Sequence, residues 1–435
     1  MNLSRWHFQT GFGRIAFVLA ALFCTLAPSF EKVSDVIQSD GDKWELRVSK
    51  LLEAEKGDII VTAVGDMIFN QEISGYEEPE YQNLYRIMQD AHIAYGNLEM
   101  SINEQPDEQK GTYDFRRERE FAWEIAKIGI NMVSLGNNHQ LDYGPDGLKD
   151  CLKFLKRSGI GYAGAGLNHQ EARAPDKRQI YMTKFALLSN YSAGWKICPP
   201  KDGPVISTVY APKVLLEQED GSTTAIHAPV EEEVKAMEDS IVLAKRHADI
   251  VLAHFHVHWV EHARAYGIPD TVPLHQRPVF HRAVDAGADI VLGNGPHVLR
   301  GIEIYKGKPI LYSQGNFIYQ WKTPNKIPAI VFSRDQESLS GYEDVDPRLR
   351  GQDPKEEAET YLARFTIRDK KVRRIELIPV TLHVKGERMG SPRLAASERG
   401  REIIGLLQRL SEKYKTNITY NDWYGVIDID SSRSQ

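Results

Sequence analysis

Short apolar runs recur along the chain, most ending in glycine or a polar side chain, and they alternate with stretches of helical period. The first run is Asp58-Ile-Ile-Val-Thr-Ala-Val-Gly-Asp66, whose β-branched content predicts a buried strand. Ala91–Glu99, Asn131–His139, Phe185–Ser189, Asp249–His254 and Asp289–Gly293 read the same way. Between them, Phe121–Ile128, Gly147–Leu155, Glu231–Arg246 and His275–Ala286 space their apolar residues as helices do. Strand and helix in alternation predict an α/β domain around a largely buried sheet. Further on, Thr360–Arg368 and Lys371–Val380 alternate about Asp369-Lys370-Lys371, which predicts a β-hairpin. Pro392–Lys413 suits a C-terminal helix. Two stretches break the rhythm. Cys198–Val230, rich in proline and charge, reads as an insertion, and residues 333–357 read as a mobile charged loop.

The N-terminus follows a different pattern. Arg5, His7 and Arg14 precede the apolar run Ile15–Ala27, and Pro28 and Ser29 follow. Positive, apolar, then small residues is the order of an export signal, cleaved or kept as an anchor. The alternative is a buried N-terminal helix of a cytosolic protein. The expected organisation is a signal or anchor over residues 1–30 and a charged helical linker over 31–57. A main domain over 58–320 follows, and residues 358–435 complete it.

Composition narrows the classes. The chain has 435 residues, 42% of them apolar, and a net charge of −6. It can build a sizeable core, and its mild acidity argues against a generic nucleic-acid binder. Three cysteines (Cys24, Cys151 and Cys198) cannot make a disulfide scaffold. Cys151 and Cys198 either form a single bridge or remain reduced.

The chemistry collects at the strand ends, where ligands of α/β sheets bind. Asp66, Glu99, Asn138, His139, His256, His258 and His297 stand at or just beyond such ends. Carboxylate, amide oxygen and imidazole together suit a dinuclear site of Mn, Zn or Fe. Each residue has a plainer reading: Gly65-Asp66 as a turn, Glu99 as a cap, Asn137-Asn138-His139 as turn chemistry. The run His254-Phe-His256-Val-His258 is harder to explain by packing, because a strand's period of two puts all three imidazoles on one face. Asn294, Asn316 and Arg300 are candidate substrate contacts. Arg116 and Arg117 are cations that attract an acidic substrate or merely form surface salt bridges. Ser313 either lines the site or packs the sheet edge. No Gly-x-Ser-x-Gly elbow of a serine hydrolase occurs.

Taken in order, these motifs resemble a known family. Val64-Gly-Asp66, Asn97-Leu-Glu99, Asn137-Asn-His139-x-x-Asp142-x-Gly144, His258-Trp-x-Glu261, Pro296-His297-Val and Tyr312-Ser-Gln-Gly-Asn-Phe317 are similar to those of the capsule-synthesis CapA family. Gly164-Ala-Gly166 and Asp285–Val291 fit the same pattern, so the resemblance covers about Ile59 to Tyr319. It implies a four-layer α/β/β/α metallophosphoesterase-like sandwich and a link to poly-γ-glutamate. Gly293-Asn-Gly-Pro-His297 departs from the family's Gly-His-His-Pro-His, so two imidazoles are missing there. His254 and His256, or the Asn294 amide, are candidates to replace them.

Two functions follow. In one, the protein is an exported metal-dependent hydrolase or transferase acting on an acidic polymer such as poly-γ-glutamate, or on a phosphorylated envelope precursor. Asp66, Glu99, Asn138, His256, His258 and His297 hold metal. His139 acts as acid or charge stabiliser, and Asp142 or Glu261 orients a histidine. In the other, the same fold is a non-catalytic, anchored component that binds or exports polymer beside capsule-assembly membrane proteins.

Overall fold

The structure is a computed structural model that describes residues 43–105, 115–192, 203–217, 223–257, 272–320, 358–384 and 386–429. The chain divides into two compact units, Met1–Glu53 and Ala54–Gln435. In the first, residues 43–52 are helical, within the expected linker. Among the described residues no helix is long and apolar enough to cross a membrane. The signal or anchor expected over 1–30 and the charged loop expected over 333–357 lie outside the described residues.

In the second unit the elements that frame the site are, in chain order, β1 (Ile59–Ile68), α1 (Pro79–Gln89), β2 (Ile93–Leu98), α2 (Glu120–Lys127), β3 (Met132–Ser134), α3 (Gly144–Arg157), β4 (Thr183–Ser192), α4 (Glu231–Lys245), β5 (Ile250–Val257), α5 (Gln276–Ala286), β6 (Ile290–Asn294), β7 (Asn316–Tyr319), β8 (Glu359–Arg368), β9 (Lys371–Leu382) and α6 (Ser397–Glu412). They build a mixed α/β fold around two large sheets. The ten-stranded sheet runs Thr419–Asn421, Tyr424–Asp428, β9, β8, β1, β2, β3, Gly161–Ala163, with β7 also on β1 and Pro392–Leu394 on β9. The six-stranded sheet runs Ile302–Tyr305, Lys308–Leu311, β6, β5, β4, Asp176–Ile180.

Parallel strands form the centre of both sheets: β1–β2–β3 in one, β4–β5–β6 in the other. Their near-continuous apolar runs are the signature of strands covered on both faces. The period of two then sorts the side chains. Ile250 and Leu252 of β5, Phe185 and Leu187 of β4, and Ile290 and Leu292 of β6 share one core with Val61, Ala63, Ile93 and Tyr95 of the larger sheet. The alternate residues Val251, Ala253 and Phe255 pack outward against Val234, Met237 and Ile241 of α4 and Val279 and Phe280 of α5. Residues of both sheets therefore contribute to one apolar core.

Strand β1 has a divided edge. Its first half pairs antiparallel with β8, Ile59 opposite Ile367 through Ala63 opposite Ala363. Its second half pairs parallel with β7, Asp66 opposite Asn316. The register shifts where the partner changes, and Gly65 sits in that irregularity. A Cβ there would lie 2.0 Å from the Gly315 carbonyl oxygen. Glycine is required because two backbones touch.

The hairpin expected at Asp369-Lys370 is β8–β9, with both residues at positive φ (51° and 60°), as a tight two-residue hairpin turn demands. The C-terminal helix begins later than the pattern predicts. Pro392–Leu394 instead form a strand on β9, and α6 starts at Ser397. A proline tolerates such an edge position because its missing N–H leaves no ladder bond unmade. Within the expected insertion, Lys213–Glu217 and Thr223–His227 pair as a two-stranded ribbon. Cys151 is a free, buried thiol, and Cys198 lies outside the described residues.

Candidate metal centre

At the C-terminal ends of the parallel strands the inward-facing columns turn from apolar to polar at one level. In β2, Ile93 and Tyr95 lead to Asn97. In β4, Phe185 and Leu187 lead to Ser189. In β5, Ile250 and Leu252 lead to His254 and His256, and in β6, Ile290 and Leu292 lead to Asn294. His254 is in register with Ser189, and His256 with Asn294. All of these side chains are buried, so a polar cluster lies at the end of the shared apolar core.

Glu99 lies at the centre of this cluster, fully buried just past β2. Three imidazole nitrogens approach its Oε1: His256 Nε2 at 3.3 Å, His297 Nε2 at 3.8 Å and His139 Nε2 at 3.9 Å. Among the described residues neither carboxylate oxygen accepts a hydrogen bond. A carboxylate removed from water in this way needs a cation.

Asp66 supplies the second buried carboxylate. Its Oδ1 accepts from Asn97 Nδ2 at 2.7 Å, and its Oδ2 faces the Gly295 N–H at 3.3 Å and His297 Nδ1 at 3.4 Å. Burial pushes the Asp66 carboxyl up, but His297, His256 and Asn97 outweigh it and hold it below the usual range. Ligand atoms of Asp66, Glu99 and His256 all lie within 4.8 Å of one another. Across a cation with bonds of about 2.1 Å, opposite ligands stand ~4.2 Å apart, so this donor set fits a divalent metal after small adjustments.

His139 stands beside this group. Its backbone N–H donates to Asn137 Oδ1 at 3.1 Å, and its Nδ1 lies 2.8 Å from Asp142 Oδ2. The neighbouring Asn138 Nδ2 is 2.9 Å from His139 Nε2, while Asn138 Oδ1 has no hydrogen bond among the described residues. The edge of Phe115 covers the ring, centroids 4.5 Å apart. Burial raises the Asp142 carboxyl against the opposing pull of His139.

Hydrogen bonds from neighbouring side chains hold these groups in place. Tyr95 Oη donates to Ser134 Oγ at 2.9 Å, and Ser134 Oγ donates to Asn97 Oδ1 at 2.7 Å. Asn137 Nδ2 reaches the same oxygen at 3.2 Å, so Asn97 turns its Nδ2 towards Asp66 and, at 3.1 Å, His256 Nδ1. His254 Nδ1 meets Ser189 Oγ at 2.9 Å. Burial, helped by His256, pushes the His254 imidazole down to about 3, so it stays neutral at ordinary pH.

The structure thus brings together Asp66, Glu99, Asn138, His139, Asp142, His256 and His297. Asn294 joins the polar cluster at the end of β6. Asn316 reaches His297 rather than open space, with Oδ1 2.8 Å from His297 Nδ1. Ser313 is buried, and its Oγ donates to the Val298 carbonyl at 2.7 Å. Arg300, a candidate substrate contact, lies inside the fold. It is 1% exposed, and its Nη1 donates to Gln276 Oε1 at 3.1 Å. Arg116 and Arg117 are half-buried on a short strand beside Ser101–Ile102, with guanidinium groups over Tyr143 and Phe121. His258 and Glu261 lie outside the described residues. Asn97 and Asn137 carry no ligand or catalytic role in the sequence reading; the inward period of Ile93, Tyr95 and Asn97 is a signal for Asn97, and Asn137 has none beyond its turn motif.

Comparison with known proteins adds four findings. Residues 56–320 match the family model described as bacterial capsule synthesis protein PGA_cap. Among curated relatives, an uncharacterized protein, y4sH of Sinorhizobium fredii, is 25% identical over 90% of this chain and 97% of its own length. The PGA biosynthesis protein CapA of Bacillus subtilis is 27% identical over 65% of this chain and 70% of its own. Among solved structures, a hypothetical protein from Thermus thermophilus aligns with a TM-score of 0.41 and 14% identity, covering 74% of this chain and 98% of that one.

Proposed function

The chain belongs to the bacterial capsule synthesis protein family PGA_cap, and on that premise we propose that it is a metal-dependent hydrolase or transferase of exopolymer synthesis. In this reading it acts outside the cytoplasm on an acidic polymer such as poly-γ-glutamate or on a phosphorylated envelope precursor. The scaffold would be the metallophosphoesterase-like α/β/β/α sandwich, with the site at the strand ends between the two sheets.

One observation carries the proposal. Glu99 is buried with no hydrogen bond to its carboxylate, beside a second buried carboxylate and within 3.9 Å of three imidazoles. Asp66, Glu99, His256 and His297 would hold a divalent cation, with Mn, Zn and Fe all compatible with these donors. A second cation would draw on Asn138 Oδ1. When bound, such a cation polarises a phosphoryl or acyl oxygen and acidifies a water.

The chain's own residues do the rest. Asp142 accepts at His139 Nδ1, so Nε2 is the atom that gives or takes a proton at the reacting centre. Asn97 holds the Asp66 carboxylate, and the Tyr95–Ser134 pair holds Asn97. The apolar core beneath excludes water from below.

The test is the metal content of the purified full chain beside Glu99→Gln, followed by a screen for phosphate or glutamate release from phosphoesters and γ-glutamyl polymers. Stoichiometric metal, lost in the variant, is expected. A chain that stays metal-free under replete conditions overturns the proposal, and polymer binding by that metal-free chain would establish the non-catalytic reading instead.

A further inference from the structure

We infer that Asn316 is a positioning residue that sets the tautomer of His297 and so readies its Nε2 to ligate metal. The inference rests on the metal reading above and assigns one ligand atom within it.

His297 is held by a two-point clamp. Asn316 Nδ2 donates to the His297 carbonyl at 3.1 Å, while Asn316 Oδ1 lies 2.8 Å from His297 Nδ1. A carbonyl oxygen only accepts, so the first contact leaves the amide one orientation. Oδ1, a pure acceptor, therefore faces the ring, and Nδ1 must carry the proton to meet it. The Asp66 carboxylate, 3.4 Å from the same nitrogen, makes the same demand. In the neutral imidazole, Nε2 is left with the lone pair, and that atom is the one pointing towards Glu99 Oε1, at 3.8 Å. A histidine that ligates through one nitrogen characteristically donates from the other.

The backbone points to the same arrangement. His297 has φ of 59°, a left-handed conformation that is uncommon for a residue with a side chain. The carbonyl that this conformation presents is the one Asn316 bonds. Asn316 is itself fixed, because β7 pairs with β1 in a register that sets Asn316 opposite Asp66. The amide, the imidazole and the Asp66 carboxylate are thus held to one another through two strands and one loop.

Two measurements on the full-length protein test this. The first is the side-chain nitrogen spectrum of metal-free protein labelled with ¹⁵N-histidine, with His297 assigned by its absence in His297→Gln. Near pH 8 the expected pattern is Nδ1 protonated and Nε2 unprotonated. The second is Mn²⁺ and Zn²⁺ affinity in Asn316→Leu and Asn316→Asp, with circular dichroism checking the fold. Loss of both bonds in Asn316→Leu is expected to weaken binding about 10- to 100-fold, the usual cost of losing such a partner. Asn316→Asp, which keeps the acceptor, is expected to recover part of that loss. A proton on Nε2, or wild-type affinity in a folded Asn316→Leu, overturns the inference. If the wild-type protein takes up no metal, the metal reading fails separately, and the spectrum still decides the tautomer.

Discussion

The His139–Asp142 contact makes a claim about single atoms. With Asp142 accepting at Nδ1, the ring is turned so that Nε2 faces the buried carboxylates. Asp142→Asn keeps the shape but removes the carboxylate, and a general acid or base contributes roughly 10²–10⁴-fold to rate. Turnover is expected to fall by about tenfold or more with metal content unchanged; an equal loss of metal would mean that Asp142 acts on the whole site. A second residue-scale prediction concerns Cys151. It is fully enclosed, and burial pushes its thiol up to about 12. Because only the thiolate reacts, Cys151 is expected to resist iodoacetamide in the native protein and to alkylate on unfolding, as peptide mapping would show. The histidines at this scale were legible because alternation along β5 places His254 and His256 on one face. Asn97 was not, because asparagine at a strand end reads equally well as a turn residue. The burial of Arg300 was not legible either, because a charged side chain carries no mark in the sequence of being enclosed.

At the scale of elements, the divided edge of β1 governs the site. Gly65→Ala would put a methyl group 2.0 Å from a carbonyl oxygen, so β1 and β7 must separate. Overpacking of this kind costs about 1–3 kcal/mol, and urea unfolding is expected to show it together with weakened metal binding. The far end of β1 is tied down by Asp58, whose carboxylate is bonded by Arg368 at 2.7 and 3.0 Å. The Arg368 hydrogen bond holds the Asp58 carboxyl below its ordinary value, against the pull of burial. A lowered carboxylate adds stability that is fully present above about pH 4, the unfolded value, and is lost as pH falls through the folded one. Asp58→Asn is therefore expected to flatten the fall in urea midpoint between about pH 5 and pH 2.5. An unchanged pH slope would show that the pair is inert. Most strands and helices of the main domain were legible as apolar runs and helical periods. The late start of α6 was not, since the pairing of Pro392–Leu394 depends on β9, an element it meets only in space.

At the scale of the molecule, the core to which both sheets contribute predicts that the larger unit unfolds cooperatively. Leu252 is fully buried in the core to which both sheets contribute. Leu252→Ala is expected to cost about 2–5 kcal/mol, and fluorescence and circular dichroism should move together in one transition. Two separated transitions would show that the sheets melt independently. The α/β alternation was legible in the sequence, but the division of its strands between two sheets was not, because that division is set by pairings up to about 300 residues apart.

Those pairings also impose an order in time. Strand β1 is among the first parts of the domain to be synthesised, yet one half of its edge waits for β7 and the other for β8, about 300 residues later. Long-range pairing of this kind slows folding and leaves strand edges open meanwhile. A chain ending at residue 320, where the family match ends, would hold Asp66, Glu99, His256 and His297 but would leave the first half of β1 without β8. A segment ending there would thus carry the site's parts without the β8–β9 hairpin that pairs with the first half of β1, and that hairpin is expected to dock last as the chain is made.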